Sequence, residues 1–339
     1  DVDEDDGDGL VTLLRSSTGL TQARVRAIGA SSGRNQPLLA ELKRVHGLSD
    51  ESMARIEQIF ASSSRMGQGD PVVNRHPATP EECAAKLKAG NISYEDPASD
   101  RICGAKYMAP LYDPSGQKPE DAKACIDRFE CTRPRASQPS MWVRARDAAL
   151  ICEAEGKRLC DAHEWEGGCA GRLEDPDYDF ALAKGKKQMS AAEAMRSAHN
   201  RRQAATKSWS YGGAYQKGIC GTASSKTQGC NGGGWAQCGS NTFPAGYFPA
   251  CRSPSGVYDI NGNAAEHMNL PLDETQLSSR GSQTLGVTEM KGSWFIFDRY
   301  RAHEDWCRWR APFWHGTRVM DSSSHENYHL GFRCCKSLR

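Results

Sequence analysis

The chain has 339 residues, with 43 Lys and Arg against 42 Asp and Glu and a formal net charge of +1. A length of about two domains, that charge balance and 38% hydrophobic residues exclude both the basic excess of a nucleic-acid binder and an overwhelmingly charged disordered chain. No apolar run approaches the roughly 18 to 20 residues that cross a bilayer, so no transmembrane segment is expected.

Asp1 to Asp8 carry six carboxylates, which repel one another and bury nothing, so residues 1–9 read as an acidic disordered tail. Residues 10–79 read as a small helical segment and linker. Leu38, Leu39, Leu42 and Val45 share one face before Gly47, and Met53, Ile56, Ile59 and Phe60 follow Ser49, a plausible N-cap. Short helices packed on the main body are the simpler reading, and a partner-docking or spacer element is the other. From Ser62 to Pro80 the turn formers multiply, which suits a link.

Residues 80–339 have another character, with short elements, many Gly, Pro and aromatics, and all the cysteines. The clearest predicted helix runs from Trp142 to Glu155 and ends on Gly156 as a left-handed cap. Asp161 to Glu164 has the form of a capping box, so a second short helix is predicted through Trp165. Between Tyr211 and Cys251 the chain is rich in Gly and Ser, and so much backbone freedom needs a covalent or ionic restraint to hold one shape.

There are 14 cysteines and no Cys-x-x-Cys pair. That pattern favours disulfides over zinc, whose ligands come in close pairs. Persistent disulfides require an oxidising space, so the expected location is secreted, periplasmic or cell-surface, with a leader already removed.

Four stretches in order carry a resemblance: Cys125 to Thr132 (Cys-Ile-Asp-Arg-Phe-Glu-Cys-Thr); Gly156 to Leu159 leading to Glu164-Trp165-Glu166; Tyr258 to Glu266 (Tyr-Asp-Ile-Asn-Gly-Asn-Ala-Ala-Glu); and Leu330-Gly331-Phe332-Arg333-Cys334. Over roughly residues 100–339 the chain resembles the formylglycine-generating-enzyme family, also called the sulfatase-modifying-factor domain. The resemblance implies an α+β fold, a variant of the C-type-lectin-like fold, with a small twisted antiparallel sheet, low regular secondary structure and many disulfides. It also implies that Cys152 pairs with Cys334. By proximity alone, Cys160 is allowed to pair with Cys169, and Cys220 to Cys251 among themselves. Cys334 and Cys335 should take different partners.

Asp259, Gly262, Ala264 and Glu266 stand at the spacing at which the resembled family binds calcium through two side chains and two carbonyls. Calcium suits such a loop, because a Gly-Asn turn exposes carbonyl oxygen and flanking acids add charge. A tight turn with Asp259 capping it and Glu266 solvated explains the same letters. A second family calcium site has no convincing ligands at Ile219 to Thr222.

Oxidases of the resembled family hold copper(I) on two cysteines five positions apart. Aligned on the Arg-Trp-Arg element here, that pair falls at Arg301 and Trp306; aligned on Gly292-Ser293-Trp294 it falls at Ile296 and Arg301. Neither alignment keeps a thiol, and Cys307 stands one place off. The histidines His267, His303, His315, His325 and His329, with Glu304 and Glu326, offer an iron-site alternative, although surface or structural roles suit them better.

From Trp294 to Arg318, aromatics interleave with arginines. Trp306, Trp309, Trp314, Arg299 and Arg301 are the candidate ligand-binding residues, being of the types that binding hot spots use. Filling the core of an irregular fold explains the aromatics equally well, and both readings stay open. Arg308 and Arg310 read as structural partners of acids. Taken together, these features predict a calcium-bearing binding or assembly module, with an unidentified protein or glycan ligand or self-assembly. The alternative is a copper or non-heme iron oxidase of the formylglycine-generating type.

Overall fold

The computed structural model describes residues 22–130, 137–230, 235–311 and 317–338, with side chains from residue 33 onward. The acidic tail, Cys131, Trp314 and His315 lie outside the described residues.

Helix α1 (Gln22–His46) is followed by α2 (Asp50–Ala61), whose N-cap Ser49 accepts the Ser52 N–H at 3.1 Å. Leu38, Leu39 and Leu42 of α1 and Met53, Ile56 and Phe60 of α2 enter one core with Val143, Ala148 and Ile151. The helical segment thus shares its apolar interior with the main body, as amphipathic helices of this length must to be stable. Helix α3 (Pro80–Ala89) opens on a capping box of Thr79 and Glu82, and α4 (Pro97–Cys103) closes on Gly104.

Two small sheets organise the rest. The first has the order β1-β2-β7-β3, from β1 (Met108–Leu111), β2 (Ala124–Asp127), β3 (Arg158–Leu159) and β7 (Cys334–Ser337), all antiparallel. The second has β4 (Ala265–Leu270) between β5 (Val287–Lys291), antiparallel, and β6 (Leu330–Phe332), parallel. Every residue of β4 and β5 is buried, including Glu266, His267, Glu289 and Lys291. Charges so placed need partners, and those partners define the centre of the molecule.

Helix α5 (Ala145–Ala154) starts three residues later than the apolar pattern predicts. Trp142 sits at φ 58°, left-handed backbone that a right-handed helical turn excludes, and its N–H donates to the Asn327 carbonyl at 3.2 Å. Gly156, at φ 71°, ends the helix as expected. In α6 (Ala162–Ala170), Glu164 reaches back to accept the Asp161 N–H at 2.9 Å. Helix α7 (Gln188–Gln203) was not predicted. Its buried face includes Arg196 and His199 beside Ala191, Ala192 and Met195, so apolar periodicity does not reveal it.

Six disulfides staple the described residues: Cys103–Cys125, Cys152–Cys334, Cys160–Cys335, Cys169–Cys307, Cys220–Cys251 and Cys230–Cys238. Adjacent residues of a strand face opposite ways, so Cys334 reaches α5 while Cys335 reaches the start of α6. The proximity pairing of Cys160 with Cys169 is corrected: β3 lies beside β7 and brings Cys160 to Cys335, while Cys169 takes Cys307. Replacing Cys152 and Cys334 together by Ala releases only a short additional loop, because Cys160–Cys335 still closes nearly the same stretch. Urea denaturation of that double variant should show a loss of about 2 to 3 kcal/mol.

Candidate functional site

The loop before β4 is built around one buried ion pair. Glu266 accepts from Arg333 Nε at 2.6 Å and Nη2 at 2.5 Å, and from Trp165 Nε1 at 2.6 Å, so both its oxygens are engaged. Gly262 is required where the loop turns: φ is 86°, and a Cβ there would meet Thr222 Cγ2 at 2.8 Å. Asn263 Nδ2 and the Ala264 N–H donate to the Glu130 carboxylate at 2.7 and 2.6 Å, and Asp259 accepts the Gly246 N–H at 2.6 Å. Burial pushes the Asp259 carboxyl up to about 7, against the pull of that N–H and Arg333. Burial, with Asp259 and Glu266 adding to it, holds Glu130 well above the usual carboxylate range.

Against calcium, Glu266 is the one donor of the loop that is already taken. The ion wants six to eight hard oxygens with ionised carboxylates. Here the charge of Glu266 is already balanced by Arg333, and both of its oxygens are engaged. The Arg333 guanidinium supplies the positive charge beside Glu266, the one of the expected ligands Asp259, Gly262, Ala264 and Glu266 that it bonds.

A second buried network lies behind β5. Glu166 of α6 accepts from Lys291 Nζ and Arg310 Nε, each at 2.9 Å, and Arg310 Nη2 also donates to Asp177 at 2.9 Å. Burial raises the Glu166 carboxyl, but Arg310 and Lys291 outweigh it and bring it down to about 2. Arg308 pairs with Glu174 at 3.1 Å. These arginines therefore belong to the interior. Glu166, Asp177 and His199 bring ligand atoms within 4.8 Å of one another, but the two cations on Glu166 already neutralise the set. Asp127, Glu155 and Cys334 do the same around Lys157, which lies 2.8 Å from both acids, and Cys334 is a disulfide sulfur.

Neither three-ligand group among the described residues includes a C-terminal histidine. Burial first, and then His325, His303 and His267, hold the His329 ring well below the usual imidazole range, but among the described residues no three ligand atoms of this group lie within 4.8 Å of one another. His267 faces Thr288 Oγ1 and the Val143 carbonyl at 2.8 and 3.0 Å, and the chain from Ser324 to Asn327 is not helical. His303 is stacked on Trp309 with ring centroids 4.7 Å apart, and burial drives its ring down to about 4.

The expected ligand-binding residues divide. Trp306 is buried and Trp309 half-buried against His303, so these two indoles serve mainly the interior. Arg299 is exposed, and its Nη1 donates to Ser225 Oγ at 2.6 Å. Arg301 is exposed and borders a cavity of about 280 Å³ lined by Trp209, Phe297, Arg301, Ala302, His303, Glu304 and Asp305. Its guanidinium lies 4.2 Å from the Tyr215 ring centre and 5.0 Å from that of Phe297. Asp305 forms the inner wall, accepting Trp209 Nε1 at 2.7 Å and Ser293 Oγ at 3.1 Å. Burial lifts its carboxyl to about 6 despite these donors.

Cys307, two residues beyond Asp305, is bonded to Cys169. Of the described cysteines only Cys83 carries a thiol; it is buried, and burial, with Asp259 adding, raises that thiol to about 11. Trp209, Tyr215 and Asp305 were not anticipated as site residues. The first two lie more than eighty residues upstream of Arg301 in a Gly- and Ser-rich stretch without periodicity, and nothing local announces them.

A disulfide-rich α+β fold of short strands, with an acidic residue after a Gly-Asn turn locked to the Arg of a closing Gly-Phe-Arg-Cys strand, defines a protein class. Residues 75–338 match the sulfatase-modifying factor enzyme 1-like domain, and the chain belongs to that FGE-sulfatase family. Among solved structures the chain is similar to the one titled "Crystal Structure of CarF", at 12% identity and a TM-score of 0.32, over 68% of this chain and 96% of that one. Among curated proteins none matches.

Asp259→Asn separates the two accounts of the loop. The neutral amide mimics the protonated acid, which the fold prefers. A raised carboxyl costs stability as pH climbs from the unfolded-state value near 4 through its folded value of about 7. The variant should therefore match wild type near pH 4 and become more stable by about 1 kcal/mol or more at pH 8. Thermal melts should be unmoved by EDTA or added calcium. A melting point raised by calcium in wild type and lowered by Asp259→Asn would restore the cation site.

Proposed function

We propose that this chain is a ligand-binding module on the FGE-type scaffold, working in an oxidising compartment, with a small thiol-free pocket where the resembled oxidases hold their metal. The observation that carries this reading is the Cys169–Cys307 bond. By either alignment the metal-binding pair falls among Ile296, Arg301 and Trp306, and the neighbouring sulfur is committed to a bridge. A thiolate nucleophile or soft-metal ligand needs a deprotonated, accessible sulfur; among the described cysteines the one thiol, the buried Cys83, supplies none.

Six disulfides support a secreted, periplasmic or surface setting, because reducing compartments do not maintain them. No described helix is long and apolar enough to cross a membrane. What supports binding rather than chemistry in this pocket is an exposed arginine beside two aromatic rings, an indole wall, and an acid that accepts two hydrogen bonds. A protein or glycan presenting a small group to this pocket is the ligand we propose, and self-assembly would be one form of it.

Metal analysis with thiol counting on the folded protein tests the reading. The expected result is no bound copper or iron, and no reaction of Cys307 or Cys83 with a thiol reagent until the protein is unfolded, with Cys307 reacting only after reduction. Stoichiometric copper or iron, or a reactive Cys307 thiol in the folded protein, would favour a metal-dependent oxidase instead.

A further inference from the structure

From the same pocket, and resting on the binding reading above, we infer that it takes a primary ammonium on a short apolar stem, a small alkylamine or a lysine side chain of another protein, held against Asp305. A buried carboxylate needs a counter-charge or a full set of donors. Glu166, Glu266 and Glu289 each meet an arginine or lysine within 2.9 Å. Asp161, buried without an ion pair, takes four donors from Asn269, Ser278 and Ser279 instead. Asp305, 3% exposed, has neither: it forms no ion pair with a described residue, and its two donors, Trp209 Nε1 and Ser293 Oγ, are neutral and leave its charge in place. Arg301 pulls this carboxyl down without offsetting burial, and Glu304 pushes it back up. Asp305 also lines a cavity, where a ligand can supply what the chain does not.

Geometry narrows the ligand further. A carboxylate has about four acceptor sites; Trp209 uses one on Oδ1 and Ser293 one on Oδ2, so each oxygen keeps a lone pair. An ammonium brings three donors on a compact charge, enough for both. The walls accept cations: the Arg301 guanidinium lies 4.2 Å from the Tyr215 ring centre and 5.0 Å from that of Phe297, and it donates to Tyr215 rather than to Asp305. The Trp209 indole carries no cation among the described residues and is the ring left for a second one. The cavity, about 280 Å³, falls just below the size range of drug-like ligand sites and admits a short chain, to which Phe297 gives an apolar side.

Calorimetric titration of the full chain with n-butylammonium chloride and with uncharged 1-butanol tests this directly in wild type, without any variant. Butylammonium should bind and 1-butanol should bind at least about tenfold more weakly, the loss of a charge-assisted contact. Asp305→Asn should erase that preference, and Arg301→Gln, which removes the competing positive charge at the mouth, should strengthen it. A short end-blocked peptide with a central lysine distinguishes the source: tighter binding than butylammonium points to a side chain of another protein, and equal or weaker binding to a free amine. Equal binding of butylammonium and 1-butanol, no binding of butylammonium at millimolar concentration, an undiminished preference in Asp305→Asn or a weakened one in Arg301→Gln would overturn the inference. None of these results touches the thiol and metal measurements, so the binding-module reading stands or falls separately.

Discussion

Glu266 and Arg333 meet at 2.5 and 2.6 Å in the interior, and the rest of the centre is arranged to make that meeting tolerable. Removing two such charges from water costs several kcal/mol each, so both carboxylate oxygens and all three guanidinium nitrogens of the pair are engaged. Trp165 gives its indole N–H to Glu266, and Arg333 donates to the carbonyls of Asp127 and Tyr258 at 3.0 and 3.2 Å. Because Glu266 belongs to the second sheet and Arg333 joins β6 to β7, the pair couples the two sheets. A lost partner would leave a bare charge in the core, on the order of 3 to 5 kcal/mol. That penalty, more than any net attraction, makes the arrangement unique.

The same logic recurs behind β5, where Glu166 is shared by Lys291 and Arg310. A chain with little regular structure has many backbone groups outside ladders and a limited apolar interior, so buried ion pairs and disulfides take over the work of specifying one packing. Cys152–Cys334 and Cys160–Cys335 pin the two faces of β7 to successive helices, and Cys169–Cys307 pins α6 to the segment that borders the pocket. The pocket's rigidity follows from that last bridge and from the Asp305 bonds beside it. Sulfur that serves structure at this place is unavailable for redox chemistry, which is why the binding reading and the fold's stability have one cause.

Much of this was legible in order along the chain. The Cys count and spacing implied disulfides, the Gly156 and Asp161 signals marked the ends of α5 and α6, and the four separated motifs led to the family. Less legible was which way each arginine faces. Arg299 and Arg301 face solvent while Arg308 and Arg310 face acids in the interior, although all four stand in the same aromatic-basic run. The Glu266 carboxylate reads as a cation ligand from its loop, and only the approach of Arg333, sixty-seven residues away, reassigns it.

Local chemistry thus determined, from the letters alone, the α+β disulfide-rich class, the family, the helix boundaries with strong caps, and the absence of a thiol pair at the expected places. Tertiary structure decided what neighbours do to each charge: the partner of Glu266, the bridge of Cys307, and the place of Arg301 beside Tyr215 and Phe297. The reason is physical. Caps, spacings and residue types act within a few positions, whereas the fate of a charge depends on burial and on partners that the fold delivers from anywhere in the chain.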